Sequence, residues 1–268
     1  MVGISVGRDT EAILLVGHGL IIPEPYEIAS GLTLVEPPEP RSKAEIADAT
    51  DHLSAYVAVL DGQAMQHFAI RIEGEAIELA QRAWNALWTF HLLSLAVSAP
   101  VWPLYAVSVQ PTPAYSLANR QLCLPVNQVQ RAGSEKLTWA KEHKALFDAL
   151  VTDSKFSVGM RAFGNSQGLL DADLRIMLLW SGIDAILCAP ETRLRETLSR
   201  RASHLLAASD LERSDWYQYV KRNYQVRNKA VHGAVVERNV LKSGKEEAER
   251  ILIALLRTLH PVLTGLAA

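Results

Sequence analysis

The sequence predicts an α+β protein in which a mixed β/α region over residues 1–130 precedes an all-α helical bundle over 134–268. In the first region, short apolar runs are broken again and again by Gly and Pro. From residue 134 onward, apolar residues recur at three- and four-residue spacing with no convincing strand. The charge shifts at the same place: residues 1–133 hold 7 Lys/Arg and 13 Asp/Glu, residues 134–268 hold 20 and 16, so the parts are −6 and +4. Two domains are therefore expected, divided near 130–134.

Ala12 to Val16 reads as a short strand, and Gly31, Pro37, Pro38 and Pro40 interrupt the chain beyond it. His52 to Leu60 and Ala64 to Glu73 alternate apolar and polar residues around Asp61-Gly62, the pattern of a β-hairpin. Between 75 and 98 the period becomes helical, through Ile77, Ala80, Trp84, Leu87, Trp88, His91 and Leu95, and stops before Pro100. Tyr105 to Gln110 and Gln121 to Leu124 read as strands separated by Pro111 and Pro113, and Pro125 to Gly133 as a linker. Helices are expected at about 134–152, 155–165, 170–188, 191–208, 210–232 and 244–265.

Local signals support several of these helices. Ser209 with Glu212, and Ser243 with Glu246, have capping-box spacing. Leu174 to Leu187 is apolar almost all round, as a central bundle helix would be, while Ala248, Ile251, Leu252, Leu255, Leu259 and Leu263 line one face of the last helix. Together they describe an up-and-down bundle with short loops.

Composition narrows the function. At 49% hydrophobic and 21% charged residues the chain is not disordered, and a net charge of −2 argues against coating long nucleic acid by bulk electrostatics. The acidic first region is a poor direct RNA surface. Arg193, Arg195, Arg200 and Arg201 lie close enough to meet a polyanion, although a solvated helix face has the same look. Cys123 and Cys188 lack C-x-x-C spacing, so a reducing, cytoplasmic setting without a disulfide framework or zinc knuckle is expected. Neither a signal sequence nor a membrane span is expected, since the apolar stretch Ala86 to Val97 is too short to cross a bilayer.

The most informative segment is Tyr224-Gln-Val-Arg-Asn-Lys-Ala-Val-His-Gly233. On a helix, Tyr217, Val220, Tyr224 and Val231 share a stripe flanked by Arg227 and His232, with Asn228 between them; Tyr219, Val226 and Ala230 lie roughly opposite and suit the protein's own core. Gly233 is placed to end the helix. A guanidinium at 227 and an imidazole at 232 make a pairing suited to phosphodiester cleavage: the imidazole takes the 2′-hydroxyl proton while the guanidinium stabilises the phosphoryl oxygens. Asn228 would orient the imidazole or bind the phosphate. The plainer reading has Arg227 paired with Asp184 and His232 merely closing the helix.

Three consecutive pieces give this segment its context: Leu179-Trp-Ser-Gly-Ile-Asp-Ala-Ile-Leu187, Arg193-Leu-Arg-Glu-Thr-Leu-Ser-Arg-Arg-Ala-Ser-His-Leu-Leu206, and Tyr224-x-x-Arg-Asn-x-x-x-His-Gly233. In that order they resemble the HEPN superfamily, most nearly its Apea-like branch, over residues 134–268. The resemblance implies an all-α bundle that dimerises so that Arg and His of two protomers share a cleft. It also implies, for active members, metal-independent endoribonuclease activity in toxins, RNA processing and antiviral defence, with no cofactor. By motif match the catalytic residues would be Arg227, Asn228 and His232, with Tyr224 and Lys229 binding substrate. Asp184 stands where related sequences often have Glu, and would be a supporting carboxylate. Other HEPN domains are inactive dimerisation or nucleotide-binding modules, and that is the competing expectation; a helical scaffold with a solvent-facing Arg-His pair ranks third. The first region would regulate such an activity, unless a separate partner or trigger does.

Elsewhere the sequence offers little chemistry. Gly17-His18-Gly19 reads as an ordinary loop, His91 as a core or interface histidine, and Trp84, Trp88 and Trp180 as core residues rather than base-stacking platforms. Trp102 and Trp216 lack that spacing and are open to exposure. No Walker A, Gly-x-Gly-x-x-Gly, His-Glu-x-x-His or Gly-x-Ser-x-Gly pattern occurs.

Overall fold

The run Ala12–His18 (β1) is buried along nearly its whole length because the sheet around it is covered on both faces. The structure, a computed structural model, describes residues 4, 6, 9–50, 52–109, 113–117, 129–188, 193–233 and 236–258. It is α+β and divides into two compact units, Met1–Ala145 and Leu146–Ala268.

In the first unit β1 is followed by β2 (Leu20–Ile21), β3 (Tyr26–Ala29), β4 (Leu32–Val35), α1 (Lys43–Asp48), α2 (Leu53–Gln63), β5 (Phe68–Glu73), α3 (Ala76–Val97), β6 (Trp102–Val109), β7 (Ala114–Leu117) and β8 (Gln130–Arg131). Six strands form one antiparallel sheet in the order β3-β4-β5-β1-β6-β7, with Leu15 opposite Ile70 on one side and Ala106 on the other. Val16 and Ala69 point towards Ile46 of α1 and Val59 of α2. Their neighbours Gly17 and Phe68 point the other way, where Phe90 of α3 stacks 5.6 Å from Phe68.

The expected hairpin does not form. His52 to Leu60 belongs to helix α2, and β5 pairs with β1 and β4. Ala55, Val59 and Gly62 are buried at helical spacing, and this stripe competes with the alternating pattern that suggests a strand. Gly62 is a contact residue rather than a turn residue, since a Cβ there would lie 2.8 Å from the ring of Tyr105. Trp84 also departs from expectation, being 54% exposed, whereas Trp102 is only 5% exposed. Gly17 and His18 form the buried end of β1, and Gly19 follows at a bend with φ +97°. His18 Nδ1 lies 2.6 Å from the Met65 carbonyl oxygen and 3.0 Å from His67 Nδ1. A carbonyl only accepts, so the network assigns the proton to His18 Nδ1 and leaves His67 Nδ1 as an acceptor. The expected strand at Gln121 to Leu124, and Cys123 with it, lies outside the described residues.

The division between units falls inside α4 (Ser134–Leu150), not in the expected linker. The early part of α4 is tied to the sheet unit: Lys141 Nζ is 3.7 Å from Glu27, and Thr138 meets the Tyr26 hydroxyl at 3.3 Å. Gln130 and Arg131 pair with Leu20 and Ile21, so part of the supposed linker is strand β8.

The second unit continues with α5 (Ser154–Gln167), α6 (Ala172–Leu187), α7 (Leu194–Leu206), α8 (Asp210–Val231) and α9 (Arg238–Thr258). α6 touches the other four, as its apolar sequence implies, although Leu174 and Met177 face outward. α5 and α6 approach through glycine: a Cβ on Gly182 would lie 2.8 Å from Ala162 Cβ and 3.4 Å from Gly159 Cα. At the start of α8, Ser209 Oγ accepts the Glu212 N–H, but the Glu212 carboxylate accepts from Ala208 rather than Ser209, so the box is displaced by one residue. Ser243 is no cap, because α9 begins earlier and Gly244 packs inside it against Val226. Leu259 and Leu263 lie outside the described residues.

Asn223 ties three of these helices together. Its side chain is fully buried; Oδ1 accepts from Trp180 Nε1 of α6 at 2.9 Å, and Nδ2 donates to the Gly244 carbonyl of α9 at 2.9 Å and to Glu247 Oε2 at 3.2 Å. Asn223→Ala would strand the indole N–H and a buried carbonyl, and is expected to cost ~3 kcal/mol, read from the urea unfolding midpoint. A second prediction concerns acid. Burial pushes the His91 imidazole down to about 4, and burial followed by the charge of His18 lowers His67. Between the ordinary histidine value and about 4 the unfolded chain binds protons that the folded chain does not, so stability is complete above that window and falls as pH drops through it. His91→Gln should flatten this acid slope, recovering no more than ~3 kcal/mol at pH 4.

Candidate functional site on α6 and α8

The apolar stripe of α8 turns inward. Val220 and Tyr224 are buried, and the Tyr224 ring meets the Trp180 indole edge-on at 5.1 Å. Val226, on the opposite stripe, packs against Gly244 of α9, so α8 is gripped on two sides. The sequence assigns only the opposite stripe to the protein's own core; Val220 and Tyr224 pack inward as well. Tyr224 is only 5% exposed, which leaves little of it for a substrate, and it serves instead as a shelf. The Arg227 guanidinium lies over its ring, 5.3 Å from the centroid.

Two more contacts aim Arg227. Nη1 donates to Asn228 Oδ1 at 3.2 Å, and Nη2 is 3.9 Å from Asp184 Oδ2 on α6. At 3.9 Å the carboxylate attracts the cation without forming a hydrogen bond. Arg227 therefore keeps donors for another acceptor, and its side chain is 25% exposed. Burial holds the Asp184 carboxyl above the usual carboxylate range, and the Arg227 charge pulls it partly back. Asp184 Oδ1 is shielded from solvent with no hydrogen-bond partner among the described residues.

His232 closes α8. Its backbone N–H reaches the Asn228 carbonyl at 3.1 Å, and Gly233 follows with φ +65°, the left-handed conformation expected after the cap. The His232 residue is exposed, as is Lys229. The plainer reading thus holds in part: Arg227 does pair with Asp184, loosely, and His232 does cap the helix, through its backbone. Neither arrangement consumes the exposed imidazole. Of the expected basic cluster, Arg195 is paired with Glu196 at 2.7 Å and Arg201 caps α6 by donating to the Leu187 and Cys188 carbonyls, leaving Arg193 and Arg200 exposed.

Sequence reasoning missed the residues that hold Arg227 in place, Asn223 and Trp180. The signal was there: Asn223 sits at apolar-stripe spacing between Val220 and Tyr224, where a polar side chain needs a buried partner. Among the described residues, no cluster of three or more His, Cys, Asp or Glu could hold a metal ion, and no helix is long and apolar enough to cross a membrane. No protein family, curated protein sequence or solved structure matches this chain.

The Asp184 carboxyl tests the electrostatics. A carboxyl raised in the folded state binds more protons than in the unfolded one, so its contribution is best below the ordinary carboxylate value and worsens as pH rises through the folded value. Asp184→Asn is expected to raise the urea midpoint at pH 7 and leave it unchanged near pH 3.

Proposed function

We propose that this protein is a HEPN-type endoribonuclease acting as a homodimer, with Arg227, Asn228 and His232 as its catalytic residues. The observation that carries the reading is the last part of α8: a partly exposed guanidinium, steered by Tyr224, Asp184 and Asn228, precedes an exposed imidazole at the helix end. In this mechanism a neutral His232 removes the proton of a 2′-hydroxyl, whose oxygen attacks the adjacent phosphorus. The P–O5′ bond breaks, an imidazolium returns a proton to the 5′-oxygen, and a 2′,3′-cyclic phosphate remains. Arg227 stabilises the charge on the phosphoryl oxygens, and the steps call on no metal ion.

The helix geometry favours a shared site. Arg227 and His232 of one chain are separated by roughly 140° of rotation and about 7 Å of rise, too far around the helix to face one phosphate easily. Two copies related by a twofold axis can set the Arg of one against the His of the other. A cytoplasmic toxin or defence role, held in check by the sheet unit or a separate partner, fits an activity that would damage the cell's own RNA. The competing reading, an inactive dimerisation module, draws on the Asp184 contact, which already engages part of the Arg227 charge.

Incubation with single-stranded and structured RNAs in EDTA tests the proposal. Wild type should yield 5′-hydroxyl and cyclic phosphate ends, with Arg227→Ala and His232→Ala each lowering the rate by about 10²- to 10⁴-fold. Because each site takes Arg from one chain and His from the other, an equal mixture of the two inactive variants should recover about a quarter of wild-type activity once subunits exchange. Intact RNA throughout, with wild type, would overturn the reading.

A further inference from the structure

A concave surface lies elsewhere in the same helical unit, where the first half of α8 meets α9. It is a cavity of about 450 Å³, within the range of small-molecule sites and ample for one nucleotide. Its wall carries two aromatic rings, Trp216 and Tyr219, set nearly perpendicular at 5.7 Å between centroids. Two guanidiniums, Arg222 and Arg250, also line it; Arg222 covers one face of Tyr219 at 5.6 Å, and Arg250 lies beside the Tyr219 hydroxyl. The remaining lining is polar: the Glu212 and Asp215 carboxylates and the Gln218 amide.

These groups sort by chemistry. Tyr219 is already enclosed by Trp216 and Arg222, so the indole of Trp216, a partly exposed residue, is the ring with a face to offer a planar ligand. Guanidiniums on the wall offer donors that match the oxygens of a phosphate. Carboxylates and an amide match hydroxyl and exocyclic amino donors. The Tyr219 hydroxyl oxygen is shielded from solvent beneath Arg250, so this ring helps form the wall rather than meeting a ligand directly. Burial, followed by the charge of Glu247, raises the phenol above its ordinary value, so it stays protonated.

A planar ring platform, a phosphate clamp and acceptors for hydroxyl and amino groups occur together in one kind of ligand. We propose that this pocket binds one nucleotide unit, its base on Trp216, its phosphate on Arg222 and Arg250, and its sugar or base donors on Glu212, Asp215 and Gln218. The base must be unstacked to enter, so the unit comes from a free nucleotide or a single strand, never from the interior of a duplex. The pocket does not depend on cleavage: Trp216 lies about 16 Å along the helix from Arg227.

Binding can be read with the full-length protein by titrating the four ribonucleoside 5′-monophosphates, adenosine, and fluorescent single-stranded and duplex ten-nucleotide RNAs, using His232→Ala so that RNA stays intact. Isothermal titration calorimetry reports the nucleotides, and anisotropy reports the RNAs. Trp216→Ala should weaken the bound ligand about tenfold or more. Arg250→Ala should erase a preference for the monophosphate over adenosine while leaving the unfolding midpoint and circular dichroism unchanged. Saturable binding of free nucleotides that is lost in Trp216→Ala assigns the site to a small ligand. Single-strand binding that Trp216→Ala weakens, with no response to free nucleotides or duplex, assigns it to a strand. If nothing binds, or if Trp216→Ala and Arg250→Ala bind as tightly as the parent, the inference fails, and the cleavage assay with wild type decides the α8 reading separately.

Discussion

Everything at the end of α8 depends on one buried amide. Asn223 uses its oxygen on the Trp180 indole and its nitrogen on the Gly244 carbonyl and Glu247, which fixes α8 against α6 and α9 in rotation as well as distance. From there the contacts run in a closed circuit. Trp180 meets Tyr224 edge-on, Tyr224 carries the Arg227 guanidinium on its face, and Arg227 reaches Asp184, which is on the same helix as Trp180. A hydrogen bond in low dielectric is directional in a way that apolar packing is not, so the amide selects one register of α8 among several that would bury Val220 and Tyr224 equally well.

The circuit leaves the cation unsatisfied by design of distance. Within hydrogen-bond distance, Asp184 would have occupied guanidinium donors that it does not engage at 3.9 Å. At 3.9 Å it orients the guanidinium, and its own carboxyl bears the strain of burial with one oxygen unpartnered among the described residues. An aspartate is one methylene shorter than a glutamate, and the 3.9 Å gap to Arg227 is what that shorter reach leaves.

Much of this was legible in the sequence, and the failures have physical causes. Helix positions in the second unit follow from apolar periodicity, and Gly233 marks the end of α8 because few other residues adopt its positive φ at no steric cost. The segment 52–60 misled because small and apolar residues at 55, 57 and 59 satisfy alternation, while 55, 59 and 62 satisfy a helix, and only the sheet surface beneath decides. The inward face of α8 was read only in part: Tyr219, Val226 and Ala230 suit the core, but that Val220 and Tyr224 turn inward too is decided only by Trp180 standing opposite. The role of Asn223 was hidden because its partners lie 43 and 21 residues away along the chain.

The joint between α5 and α6 has a mechanical consequence. Where Gly159 and Gly182 meet, the helices are close-packed: Ala162, Ile186 and Leu252 already fill the space that a Cβ on either glycine would take, which leaves little free volume to absorb a displacement. Such a joint has low compressibility, and Asp184 sits two residues beyond it. Hydrostatic pressure or thermal expansion would therefore be taken up elsewhere in the helical unit, leaving the carboxylate's mounting as a fixed datum from which the rest of the chemistry is measured.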